Sequence, residues 1–95
     1  MLNTKDALHL WNYLALHWPA NLDADVLDFV GTIVDSMVEK NMHSDYVDAL
    51  VLMTGKTKDE IVALSTDTGL ELFVTGLIEN NVQYLAQFCR QVGYA

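Results

Sequence analysis

A chain of 95 residues and 10.6 kDa is sized for one domain, since separate cores appear only well above roughly 150–250 residues. With 52% apolar residues it can build a core without metal or disulfide staples, which excludes intrinsic disorder. Thirteen acids against five bases leave a net charge of -8, so direct binding to nucleic acid or to an anionic membrane surface, which relies on Lys and Arg, is disfavoured.

Apolar residues recur at helical spacing in five stretches, and no stretch alternates with period two. An all-α, compact bundle of four to five helices with a long C-terminal helix is expected, spanning residues 1–95 as a single domain. The first helix is expected from about Thr4 to His17, capped by Asn3 or Thr4 and stopped where Pro19 restrains Trp18. Leu8, Trp11, Ala15 and Trp18 form one stripe, while Leu10, Leu14 and Leu16 add apolar surface outside it. The second helix follows the cap candidates Asn21 and Asp23. Its core face reads Val26, Val30, Ile33, Val34, Met37 and Val38, its opposite side carries Asp28, Thr32, Asp35 and Glu39, and Asn41 supplies a stop.

A third helix is expected from Ser44 as cap through Tyr46, Val47, Leu50 and Met53 to Gly55. TKDE at 57–60 is a capping box that opens a short fourth helix with Ile61, Val62 and Leu64. A second box, Thr68 with Glu71, is read as the start of a final helix reaching Val92, about 37 Å long at 1.5 Å per residue. Its stripe is Leu70, Phe73, Val74, Leu77, Tyr84, Leu85, Phe88 and Val92, with Gly93 as stop.

Three features suggest binding surfaces. Leu10, Trp11, Tyr13, Leu14 and Trp18 crowd the first helix in a domain with little interior to absorb them, which makes them candidate partner-binding residues. Residues 21–48 carry seven acids against Lys40 alone, so Asp25, Asp28, Asp35 and Glu39 form a candidate acidic surface, to be weighed against a merely solvated face. Gly76 inside the strongest helical pattern invites close approach of another helix, and Asn81 falls on the apolar stripe. Gly76, Leu77, Asn81, Leu85 and Phe88 are therefore candidates for a self-association seam.

Catalytic and metal constellations are not expected. His9 and His17 are eight residues apart rather than four, His43 stands alone, and ordinary partial burial suits all three. The single Cys89 reads as a small core residue and points to a reducing compartment. TGK at 54–56 lacks the upstream glycine of a phosphate loop. The start MLNTKDALHL lacks the positive region of a secretory signal, and no apolar run approaches roughly 18–20 residues, so a cytoplasmic location with no membrane span is expected.

The segments LVLMTGKTKDEI (50–61) and GLELFVTGLIENNVQYLAQFCRQVGY (69–94) resemble the C-terminal part of small helical tail assembly chaperones of tailed bacteriophages. Helical pattern, the Gly-Leu and Asn-Asn placements and the terminal Gly-aromatic carry the resemblance, which covers about half the chain and leaves residues 1–49 unmatched. It implies an all-α protein without catalytic residues or cofactors that binds helical segments of a tape-measure protein and self-associates as a homo-oligomer. The alternative from composition is an acidic inhibitor or nucleic-acid mimic that occupies a basic groove of a host protein.

Overall fold

Asn3 stands in extended backbone and its side chain accepts from the Asp6 amide at 2.8 Å, which starts the first helix, α1 (Thr4–Leu14). The computed structural model describes residues 2–19 and 26–93, and every regular element among them is helical. The others are α2 (Val26–Glu39), α3 (His43–Thr54), α4 (Lys58–Val62), α5 (Thr66–Glu79) and α6 (Val82–Gln91). The expected all-α bundle is therefore present, with six helices among the described residues where four to five are expected. The cap candidates Asn21 and Asp23 lie outside the described residues.

Four boundaries differ from expectation, each for a local reason. First, α1 ends at Leu14 rather than His17. The His17 amide turns to the Leu14 carbonyl at 3.0 Å, and the Arg90 guanidinium of α6 donates to the carbonyls of Trp18 (2.7 Å) and Pro19 (2.8 Å), drawing them out of helical register. At the end of α2, Asn41 adopts left-handed backbone (φ 56°). Its amide bonds the Val38 carbonyl while the Met42 amide bonds that of Met37, a Schellman ending. Out of that turn α3 starts at once, with Met42 as a cap that has no side-chain bond and Ser44 already inside the first turn. Gly55 ends it as expected, left-handed at φ 74°.

The Thr57–Glu60 box forms in both directions, Glu60 N–H to Thr57 Oγ1 at 3.2 Å and Thr57 N–H to Glu60 Oε1 at 3.0 Å. For α5 the cap is Ser65, which accepts from the Thr68 amide, so the helix opens before the expected Thr68 box. The expected long final helix is two helices. Asn81 is left-handed (φ 50°), Asn80 donates from its side chain to the Gly76 carbonyl at 2.9 Å, and the Asn81 carbonyl then receives the first amides of α6, those of Tyr84 and Leu85.

All six helices contribute to one core, with Trp11, Phe73, Leu10, Leu14, Ile33 and Leu50 among its fully buried side chains. A radius of gyration of 12.4 Å is close to the roughly 12 Å of a compact chain of this length. Two glycines set how α5 lies on α3. A Cβ on Gly76 would stand 2.8 Å from Met53 Sδ, and one on Gly69 would stand 3.2 Å from the Tyr46 hydroxyl. Both pairs are seven residues apart on their helices, so Tyr46 and Met53 project into two glycine notches and the helices run in the same sense. At the other end Trp11, Trp18 and Phe29 stack edge to face at 5.7 and 5.1 Å, with Arg90 5.8 Å over the Trp11 ring.

Candidate functional site: an apolar groove between four helices

The parallel seating of α5 on α3, bridged by short α4, leaves a groove of ≈ 560 Å³ that α2 borders. That volume is within the range of about 300–1,000 Å³ typical of ligand sites. Its buried base includes Met37 of α2, Leu50 of α3, Ile61 of α4 and Gly69 of α5. Around its mouth Val38, Val62 and Leu70 remain 55%, 62% and 36% exposed, apolar side chains left uncovered among the described residues. Helical periodicity explains Val38: it continues the α2 stripe one step past Val34 and Met37, beyond the point where the core reaches.

Few polar groups enter the groove. His43, Ser65 and Thr66 stand exposed among its lining residues. Tyr46 packs its ring 5.0 Å from Phe73, and burial pushes its phenol above the ordinary value, so it stays a neutral hydroxyl beside Gly69. Among the described residues no group of three His, Cys, Asp or Glu side chains is placed to hold a metal ion. The lining is otherwise aliphatic, from Val34, Met37, Val38, Leu50, Ile61 and Val62.

A second constellation joins residues that the sequence keeps apart. His17, expected to be partly buried, is wholly enclosed: Nδ1 lies 2.9 Å from Ser36 Oγ and Nε2 lies 3.0 Å from Asp45 Oδ2. Lys40 donates to the same Ser36 hydroxyl at 3.1 Å. In the neutral tautomer with Nε2–H the donors run one way, from Lys40 to Ser36 to His17 to Asp45, and each group is satisfied. The residue types are those of a nucleophilic triad, but Ser36 is mid-helix, where neighbouring amides are consumed by the helix and none is free to stabilise an oxyanion. The chain of bonds pins the exit of α1 to α2 and α3.

The sequence-derived candidates are distributed differently from expectation. Leu10, Trp11 and Leu14 are buried because α1 is packed between α3 and α6, and Trp18 beyond its end is buried against Trp11 and Phe29, so they are core residues and not a partner surface, and Tyr13 is half-buried against the core. Gly76 and Leu77 are likewise buried, Gly76 against Met53 of α3 in the same chain, and are unavailable to a seam between copies. Asn81 lies at the break between helices, Leu85 is half-buried, and Phe88 is 48% exposed. Leu85 and Phe88 line a shallow depression with Leu2, Leu8 and Tyr84. Asp28, Asp35 and Glu39 are exposed on α2, and Asp25 is outside the described residues. Cys89 is buried, as a small core residue should be. No helix among the described residues is long and apolar enough to cross a membrane.

The groove itself was not foreseen. Its signal is the short α4, where Ile61 is buried while its apolar neighbour Val62 stays 62% exposed. No protein-family model, curated protein or solved structure matches the chain.

Proposed function

We propose that this chain is a non-enzymatic binding protein whose groove between α2, α3, α4 and α5 receives an apolar helical segment of a partner protein. The carrying observation is the ≈ 560 Å³ apolar groove with Val38, Val62 and Leu70 exposed at its mouth. Its most concrete form is a tail assembly chaperone that shields helices of a tape-measure protein. In support, the two segments that carry the resemblance supply Leu50, Ile61, Gly69 and Leu70 to the groove. A cytoplasmic setting suits the free Cys89. Contact with a second copy falls to Tyr84, Leu85 and Phe88, of which Tyr84 is 64% exposed.

The alternative, an acidic mimic of nucleic acid, draws support from exposed Asp28, Asp35 and Glu39 and would leave the groove empty. An amphipathic helix with a leucine stripe and uncharged Gln edges separates the two. In an amide-resolved NMR titration its addition should shift Met37, Tyr46, Val47, Ile61 and Gly69. Val62→Asp, at an exposed position and with its helicity verified by circular dichroism, should abolish the shifts. Shifts confined to α1 and α6, or unaffected by Val62→Asp, would overturn the groove reading.

A further inference from the structure

We infer that the occupant of the groove is a cationic amphipathic helix, with an apolar stripe that enters the groove and Lys or Arg along both edges. This rests on the groove reading above and adds the partner's charge to it. Ten of the thirteen acids but only three of the five bases lie between residues 26 and 79, a net of -7 on the stretch that builds the groove. The placement matters more than the count. Asp35 and Glu39 each follow a lining residue of α2, Val34 and Val38, and Asp67 and Glu71 each follow one of α5, Thr66 and Leu70. One residue on is about 100° round a helix, which sets these four carboxylates beside the lining rather than within it, and all four are exposed. Of the bases on this stretch, Lys40 donates to Ser36 and Lys56 and Lys58 stand exposed at the start of α4, so positive charge near the groove is outnumbered rather than absent.

An apolar groove with exposed carboxylates beside its α2 and α5 lining attracts a helix whose stripe is bordered by positive charge and repels one bordered by negative charge, so the acids act as a filter as well as an attraction. A second copy, itself at -8, a nucleic acid and an anionic bilayer all meet the same repulsion.

The test uses the full chain and helical peptides of about 18 residues sharing one leucine stripe, with edges of Lys, Gln or Glu, plus a Lys-rich peptide whose stripe is scrambled. Binding is read by fluorescence anisotropy at low and high salt. The Lys-edged peptide should bind about tenfold or more tighter than the Glu-edged one at low salt, with the margin shrinking at high salt. The double variant Glu39→Lys/Glu71→Lys, with its helicity verified, should reverse the preference. If the Lys-, Gln- and Glu-edged peptides bind alike, the groove stands and the cationic occupant is overturned. If the scrambled Lys peptide binds as tightly as the striped one, charge alone is acting and the inference is overturned. Absence of binding by every peptide overturns both the inference and the groove reading.

Discussion

Gly76 and Gly31 sit inside two helices of 14 residues each and have opposite surroundings. A methyl group on Gly31 would meet nothing within 4 Å, whereas one on Gly76 would collide with Met53. Gly31→Ala should therefore stabilise the protein by up to about 1 kcal/mol through helix propensity, and Gly76→Ala should cost about 1–3 kcal/mol through overpacking. Urea midpoints of the two variants check this, and shifts in the same direction would refute it. Glu60 shows a different residue-scale effect. The Thr57 amide, then the Thr57 hydroxyl, and less strongly the Lys56 charge hold its carboxyl below the usual carboxylate range. A depressed carboxyl contributes stability at neutral pH that is lost as pH falls from the ordinary range, about 4.3, through the lower folded-state value. Thermal melts between pH 7 and pH 2 should accordingly show a shallower acid limb for Glu60→Gln than for the parent. Parallel curves would show that the carboxylate adds nothing to the cap.

At the scale of elements, the features legible in the sequence are local ones, although the equally local Ser44 cap and Thr68–Glu71 box are displaced by Met42 and Ser65. The Thr57–Glu60 box, the Asn3 cap and the Gly55 ending are local bonds or local backbone conformations, and all three occur. The α5–α6 break was not legible because Asn81 falls four residues after Leu77 and four before Leu85, so the apolar period runs through it undisturbed. The signal was present elsewhere in the chain: VEKNM at 38–42 and IENNV at 78–82 share a Glu, one intervening residue, an Asn and an apolar residue, and in both the Asn is left-handed. Asn81→Gly should be neutral or mildly stabilising, while Asn81→Leu should cost about 1–2 kcal/mol. A rise in helicity with unchanged stability in Asn81→Leu would mean that a continuous helix is equally accessible. The site was harder to read than the helices. Leu10, Trp11, Leu14 and Trp18 seemed too many for one face, but α1 has partners on two sides and buries them all. His17, Ser36 and Asp45 come from three segments, and only the tertiary fold brings them within 3.0 Å.

For the whole molecule, Cys89 offers a probe of cooperative opening. It is fully buried on α6 and its thiol is pushed above the usual value by that burial, so both access and ionisation oppose reaction. Modification by a thiol-specific dye should be slow in buffer and should accelerate in step with the loss of helicity across a urea titration. Reaction at the rate of a free thiol without denaturant would show that α6 detaches by itself. Binding of a peptide in the groove, which α6 does not line, should slow the reaction only by raising global stability.

The Arg90 clamp has a consequence for how the molecule comes into being. Its two donors reach carbonyls 71 and 72 residues earlier, and the Leu2 amide bonds Asn80 across 78 residues. A nascent chain emerging from the ribosome thus cannot close the joint after α1 until residue 90 has been synthesised. Until then the Trp11–Trp18 stack lacks the helix that lies over it. Folding of this core is thereby postponed until Arg90 is available even though helices form quickly, since the contacts that shut it are the most distant in sequence. A ribosome stalled after α5 would display an aromatic surface that the finished protein never shows, and chaperone capture at that chain length is where this delay would become visible.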